Sequence, residues 1–207
     1  PNILDVNKLI QILTNLGVEI SKISEGSYRF RSNNINLDYL STQDFKDDGQ
    51  RLRGSIMIVG PLLARFGKGS VPRPGGDKIG RRRLDTHFEG LIKLGAKFSH
   101  NRESSFFNLE ANELKGANIL LEEASVTGTA NIIMTAVLAQ GKTTIYNAAC
   151  EPYVQQLCKM LNKMGAKISG IGSNYLIIDG VEKLNGTEHT ILPDMIEIGS
   201  WIGLAAM

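Results

Sequence analysis

The sequence has 207 residues, a length that fits one domain or two small ones. Hydrophobic residues make up 42% of the chain and charged residues 21%, a balance that is ordinary for a folded protein and excludes intrinsic disorder. No apolar run approaches the roughly 20 residues that cross a bilayer, so we expect no membrane span. Two cysteines, Cys150 and Cys158, are too few for a disulfide framework, and we expect reduced, mostly buried thiols in a cytoplasmic protein.

Three amphipathic segments recur along the chain. In residues 5–20, 84–98 and 151–168 the apolar side chains recur at i, i+3, i+4 and i+7, which predicts a helix in each segment. Each helix ends at a glycine suited to a left-handed C-cap, namely Gly17, Gly95 and Gly165. Each glycine is followed by a short strand, a polar turn and an alternating strand, the last at 28–31, 105–109 and 175–179. The glycines are 78 and 70 residues apart, so the chain is predicted to repeat one supersecondary unit.

The later repeats begin with a second helix. We predict these helices at 55–67 and 130–141, where Pro61 either bends the first one or marks its first turn. A last apolar segment, 196–207, resembles the start of a further copy. The predicted unit is therefore β-α-β-α-β-β.

The repeats define the expected domain organisation. We assign residues 1–184 to one domain with repeats at 1–46 (partial), 47–112 and 113–184, and residues 185–207 to a crossover and the truncated start of a second domain. Because the chain starts at Pro1 and stops inside an apolar helix without a stop signal, we expect a piece of a longer protein.

Positive charge is concentrated in one third of the chain. Residues 51–83 contain nine basic side chains and one acidic one, a net charge of +8, so the remaining residues carry −6 of the total of +2. Such a cluster favours an anionic partner, either nucleic acid or a small phosphorylated ligand. Phe66 is the one aromatic residue in the segment, too few for base stacking, so we favour the small ligand and expect no nucleic-acid partner.

The densest part of this cluster is a glycine-rich segment at 74–87. Gly75, Gly76 and Gly80 permit tight turns that leave backbone N–H groups exposed, and the arginines supply fork-shaped donors for phosphate or carboxylate. A basic surface loop without a ligand is the alternative interpretation.

Segments 52–67, 74–87, 125–131 and 192–199 closely resemble the UDP-N-acetylglucosamine enolpyruvyl transferases, and the resemblance extends in order over essentially the whole chain. It implies an α/β fold, the inverted α/β barrel of enolpyruvyl transferases, with two domains of three β-α-β-α-β-β units each. It also implies transfer of enolpyruvate from phosphoenolpyruvate to UDP-N-acetylglucosamine with release of phosphate, the first committed step of peptidoglycan synthesis. Neither a cofactor nor a metal ion is implied, and we expect a monomer.

The resemblance also assigns site residues. Arg53 matches the family's arginine in the sugar-nucleotide site, and Arg82 matches the loop arginine that closes on phosphoenolpyruvate. The uridine site is lined by the stretch Arg82, Arg83, Leu84, Asp85 and Thr86. The strand-to-helix turn that holds the diphosphate contains Glu123, Ala124, Ser125 and Val126, and a helix N-terminus there is a plausible anion site on physical grounds.

Two residues depart from the commonest family pattern. Glu123 replaces a lysine, so backbone donors would have to hold the diphosphate. Asp77 replaces the cysteine that acts as general acid, although some members carry aspartate there. Asp77 would deliver a proton to C3 of phosphoenolpyruvate, which requires burial to raise its pKa above the reference of about 3.9 against the opposing effect of the arginines. The missing thiol also implies insensitivity to fosfomycin, whose epoxide is opened by the family's loop cysteine.

The histidines and the tryptophan receive structural interpretations. His100 and His189 lie in polar turns and are expected at the surface, and three separate histidines argue against a metal site. His87, beside the basic loop, is a weaker candidate for ligand contact, and Trp201 on its apolar helix is expected in the core.

Two other functions stay open. The shikimate-pathway enolpyruvyl transferase shares the fold, although the acid-bearing loop at 74–87 favours the sugar-nucleotide branch. A non-catalytic sugar-nucleotide-binding module is the second alternative. For the favoured function, we expect this chain to be inactive by itself.

Overall fold

The computed structural model describes residues 2–75, 83–101 and 105–207. These residues form two compact units. The first unit comprises the described residues of 1–82 and 97–110, and the second comprises 83–96 and 111–207. Both are mixed α/β structures, as the sequence predicts.

The first unit has short helices and two sheets. Up to residue 82 its elements are, in chain order, α1 (Leu4–Asn15), β1 (Glu19–Ser24), β2 (Ser27–Arg31), a 3-10 helix (Leu37–Ser41), α2 (Gln43–Gln50), a 3-10 helix (Arg53–Ile58), α3 (Val59–Phe66) and β3 (Lys68–Pro72). The chain then enters the second unit and returns at residue 97 with β4 (Lys97–Asn101) and β5 (Phe106–Glu110). Strands β1 and β2 pair antiparallel, and β3, β5 and β4 form an antiparallel sheet in that order.

The second unit contains the most complete repeat. Its elements are α4 (Asp85–Lys93), β6 (Asn118–Leu120), α5 (Val126–Ala136), β7 (Lys142–Tyr146), α6 (Pro152–Lys163), β8 (Lys167–Ser169), β9 (Tyr175–Asp179) and α7 (Met195–Ala206). The sheet order is β6-β7-β9-β8, with β6 parallel to β7 and the other pairs antiparallel. From β6 to β9 the elements follow the predicted β-α-β-α-β-β order, and β7-β9-β8 repeats the order of β3-β5-β4.

The first unit contains an apolar cluster of buried side chains. Phe45 at its centre is fully buried, and its ring centroid lies 5.3 Å from that of Tyr39 and 6.2 Å from that of Phe106. The Tyr39 hydroxyl donates to Asp48 Oδ2 at 3.2 Å, and burial raises the pKa of Tyr39. The remaining buried members are Ile12, Leu16, Leu40, Leu52, Ile58 and Leu62.

In the second unit, helices α4 and α5 pack closely. A Cβ added at Gly90 of α4 would lie 2.1 Å from Cδ1 of Ile132, so the absence of a side chain there lets the two helices approach. Ile132, Ile133 and Leu91 are fully buried around this contact. The approach fixes the first turns of α4 and α5 near each other.

The predicted glycine C-caps are confirmed at all three positions. Gly17, Gly95 and Gly165 have φ of +94°, +105° and +102°, a left-handed conformation that side chains disfavour. Pro61 lies in the first turn of α3, which settles its role as a start of the helix rather than a bend. The helix predicted at 130–141 begins earlier, at Val126, because Ser125 caps it.

Gly17 and Gly165 provide a matched test of the backbone conformation. Both alanine variants should lose on the order of 1–2 kcal/mol of unfolding free energy through left-handed strain. Gly17→Ala should lose more, because its Cβ would lie 2.3 Å from the backbone oxygen of Asn34, whereas the nearest atom to a Cβ at Gly165 is 3.5 Å away. Thermal unfolding of the two variants measures the difference, and equal losses would contradict the close approach at Gly17.

The prediction that Trp201 is buried is wrong. Trp201 is 62% exposed, and none of the residues of α7 is buried. The helix itself forms as predicted, because Asp194 caps it through the backbone N–H of Ile196 at 2.8 Å. Burial needs a second surface, and among the described residues none covers this apolar helix. No helix in the described residues is long and apolar enough to span a bilayer.

The two cysteines differ, and the expectation of buried thiols is correct for Cys158 but wrong for Cys150, which is exposed in the loop before α6. Burial raises the pKa of the Cys158 thiol to about 11.

Iodoacetamide at pH 8 should therefore alkylate Cys150 and leave Cys158 protonated and unreacted, and reaction at Cys158 should rise as the pH approaches 11. Peptide mass analysis measures both sites, with Cys150→Ser as the control. Rapid labelling of Cys158 at pH 8 would contradict this.

Candidate functional site

The predicted site residues of the second unit meet at the first turns of α4 and α5. Arg83, Leu84, Asp85 and Thr86 lead into α4, and the turn from Glu123 to Gly128 leads into α5. The hydrogen bond between Arg83 Nε and Asp85 Oδ2 raises the pKa of Arg83, and it holds this guanidinium beside the α4 N-terminus.

The turn before α5 is built from local hydrogen bonds. Ser125 is the N-cap, and its hydroxyl accepts from the backbone N–H of Gly128 at 3.2 Å. The Ser125 N–H donates to the carbonyl of Glu123 at 2.8 Å. The first-turn N–H groups of a helix have no partner within the helix, so this ordered turn is suited to an anion.

Thr86 joins the two helix starts. Its hydroxyl donates to Glu123 Oε1 at 3.3 Å, and its methyl group would be 3.0 Å from a Cβ at Gly128. Thr86 is itself buried, at 7% exposure. The Glu123 carboxylate therefore contacts α4.

His87, a candidate for ligand contact in the sequence, is buried between α4 and α5. It is 1% exposed, its Nε2 lies 3.1 Å from Thr127 Oγ1, and its Nδ1 lies 2.9 Å from Asn131 Nδ2. Its position on the inner side of α4 turns the ring towards α5. Thr127 and Asn131 were not among the predicted site residues, and their sequence signal is polar character at i and i+4 of α5.

The remaining predicted site residues are Arg53, Asp77 and Arg82. Arg53 is half-buried at the first residue of the 3-10 helix Arg53–Ile58, and it belongs to the first unit. Asp77 and Arg82 lie outside the described residues. The structure therefore brings together the residues predicted at 83–86 and 123–126.

Two arginines of the basic segment, Arg51 and Arg65, lie near polar groups of their own unit. Arg51 lines a depression of about 240 Å³ with Asp44, Asp47 and Asp48. Arg65 donates to Ser32 through two bonds of 2.9 Å. The partners of Arg65 are uncharged, so these bonds position its guanidinium and leave its charge in place.

Comparisons with known proteins identify the family. The family model EPSP synthase (3-phosphoshikimate 1-carboxyvinyltransferase) matches residues 1–207. Curated relatives named UDP-N-acetylglucosamine 1-carboxyvinyltransferase include those of Bacteroides fragilis, 63% identical over 207 residues, and Treponema denticola, 53% identical over 208 residues. The matches cover 100% of this chain and 48% and 47% of those proteins, so the chain spans about half the length of the curated relatives it matches.

Solved structures confirm the fold class. The enolpyruvyl transferase NikO from Streptomyces tendae has a TM-score of 0.71 at 17% identity, over 98% of this chain and 47% of that one. EPSP synthase from Acinetobacter baumannii has a TM-score of 0.63 at 19% identity, over 87% of this chain and 40% of that one. The fold is that of the enolpyruvyl transferases, as the sequence predicts. With the family model matching from end to end, the chain belongs to the EPSP synthase family.

Proposed function

We propose that the protein carrying this chain transfers enolpyruvate from phosphoenolpyruvate to UDP-N-acetylglucosamine and releases phosphate, as a cytoplasmic monomer without nucleic-acid or membrane partners. The observation that carries the proposal is the 63% identity, over every residue of the chain, to a relative named for this activity. The match covers the whole chain, including the segments 83–86 and 123–128. Peptidoglycan synthesis is the process in which this product is used.

In the proposed mechanism the second unit binds the sugar nucleotide. The ordered turn from Glu123 to Val126 presents backbone N–H groups to the diphosphate, and residues 83–86 line the uridine. Backbone donors would bind the diphosphate in place of a cation at position 123, and the Glu123 carboxylate accepts a hydrogen bond from Thr86. Arg53 is proposed as a sugar-nucleotide residue on its match to the family position alone.

The chemical step is proposed for the segment around Asp77 and Arg82. Asp77 would donate a proton to C3 of phosphoenolpyruvate, so that C2 gains positive character and bonds to the sugar hydroxyl oxygen, which gives up its proton. Cleavage of the bond from C2 to the phosphate oxygen, with loss of a proton from C3, then restores the double bond and releases phosphate. Arg82 would bind phosphoenolpyruvate and stabilise the negative charge of the phosphate that leaves. No cofactor is needed for this addition and elimination.

We also propose that residues 1–184 form one domain and that 185–207 lead into a second. The exposed apolar face of α7 supports this, because such a face needs a covering surface. The active site would then include groups beyond this chain, so the 207-residue chain alone should release no phosphate.

A phosphate-release assay on the full-length enzyme separates the three candidate functions. With phosphoenolpyruvate present, we expect release on addition of UDP-N-acetylglucosamine and none on addition of shikimate 3-phosphate. The opposite preference would support the shikimate-pathway enzyme. Calorimetric binding of UDP-N-acetylglucosamine without turnover would support the binding module.

A further inference from the structure

The buried imidazole of His87 joins α4 to the first two turns of α5. His87 is the third residue of α4, and its partners Thr127 and Asn131 are the second and sixth residues of α5. Both partners lie on the same side of α5, because residues four apart in a helix are neighbours. The ring therefore holds α5 at two points.

The hydrogen-bond partners define the roles of the two ring nitrogens. Asn131 Nδ2 is a donor, so His87 Nδ1 accepts at 2.9 Å. The neutral ring then carries its hydrogen on Nε2, which donates to Thr127 Oγ1 at 3.1 Å. Nε2 thus bonds to a residue in the first turn of α5, and Nδ1 bonds to a residue in the second turn.

Thr127 lies in the first turn of α5, so a shift of Thr127 would change the direction of the backbone N–H groups in that turn. It is the residue after Val126 and the one before Gly128, whose backbone N–H is bonded to Ser125. On the neighbouring side, Thr86 packs against Gly128 and bonds Glu123. Two consecutive residues of α4 thereby hold the turn that presents N–H groups at the start of α5.

We propose that His87 is a positioning residue for the sugar nucleotide, acting through Thr127 to fix the direction of the N–H groups in the first turn of α5. This inference rests on the proposed function. The diphosphate is bound in both the ground state and the transition state, so loss of positioning raises KM and leaves kcat nearly unchanged.

Two amide substitutions in the full-length enzyme separate the two bonds. The side-chain amide of His87→Gln reaches the position of Nε2 and keeps the bond to Thr127, whereas that of His87→Asn reaches the position of Nδ1 and keeps the bond to Asn131. His87→Asn should raise KM for UDP-N-acetylglucosamine about tenfold, the effect of one lost hydrogen bond of about 1.4 kcal/mol. His87→Gln should rescue most of this loss. Because Asn is also one methylene smaller than Gln, the Thr127 variants below separate the lost bond from the lost volume.

Variants of Thr127 provide a second, independent test. Thr127→Val removes the hydroxyl from an exposed position, so the fold should persist. It should raise KM as His87→Asn does, and the double variant should be no worse than either single one, since both remove the same bond. Thr127→Ser should recover most of the affinity.

Thr143→Val is the matched control, because the buried Thr143 hydroxyl has no hydrogen-bond partner among the described residues, and KM should not change.

The outcomes are distinct. Equal KM values for His87→Gln and His87→Asn, or additive effects of His87→Asn and Thr127→Val, would overturn the positioning role. If His87→Asn fails to fold, an unchanged KM in Thr127→Val is sufficient to overturn it. Failure of wild-type enzyme to bind UDP-N-acetylglucosamine would instead overturn the proposed function, and this inference with it.

Discussion

Arg82→Ala in the full-length enzyme should lose about 2–4 kcal/mol of transition-state stabilisation, whereas Arg81→Ala should lose much less. The reason is that one loop arginine is expected to engage phosphoenolpyruvate, and only Arg82 matches the family position. Its neighbour Arg83 is already bonded to Asp85, so we do not expect Arg83 to bind phosphoenolpyruvate. The measurement is kcat/KM for phosphoenolpyruvate in each variant.

Arg83→Ala serves as the control in this series. It removes a guanidinium that the fold already uses, so its effect should appear in KM for the sugar nucleotide rather than for phosphoenolpyruvate. Similar losses of kcat/KM for phosphoenolpyruvate in all three variants would show that the arginines act as diffuse charge. The assignment to Arg82 would then be wrong.

Asp77→Asn should abolish most turnover, because an amide cannot serve as the proton donor to phosphoenolpyruvate. Asp77→Cys should keep turnover and gain sensitivity to fosfomycin, since a thiolate opens the epoxide far more readily than a carboxylate does. The parent enzyme should remain active through prolonged exposure to the drug. Residual phosphate release and intact mass after incubation measure both effects.

The exposed thiol of Cys150 requires its own control in this experiment. An adduct on Cys150 without loss of activity would be irrelevant to the mechanism, and Cys150→Ser removes it. A covalent adduct with a matching loss of activity in the Asp77 enzyme would contradict the expected insensitivity. An active Asp77→Asn enzyme would remove Asp77 from the mechanism.

Local features of the fold were predictable from the sequence. The helices follow from apolar periodicity, and the glycine C-caps follow from the conformational freedom of Gly17, Gly95 and Gly165. The predicted start of α5 is four residues too late. Residues Val126–Thr129 show no apolar periodicity, so the pattern does not indicate a helix that begins after the cap at Ser125. Burial of Trp201 was predicted wrongly, because an apolar pattern does not reveal whether a covering surface is present in the same chain.

The candidate site was partly predictable. The residues at 83–86 and 123–126 were assigned through the family resemblance, and the structure brings their helix starts together. The bonds from His87 to Thr127 and Asn131 connect residues 40 and 44 positions apart, and no local pattern encodes them. They depend on the close approach of α4 and α5 at Gly90, which is a tertiary property.

The proposed activity is tested most directly by the identity of the product. Full-length enzyme should convert phosphoenolpyruvate and UDP-N-acetylglucosamine into equal amounts of phosphate and a sugar nucleotide heavier by one enolpyruvyl group. Mass spectrometry should place the added group on the sugar and leave the uridine unchanged. Recovery of unmodified UDP-N-acetylglucosamine, or modification of shikimate 3-phosphate in its place, would contradict the proposal.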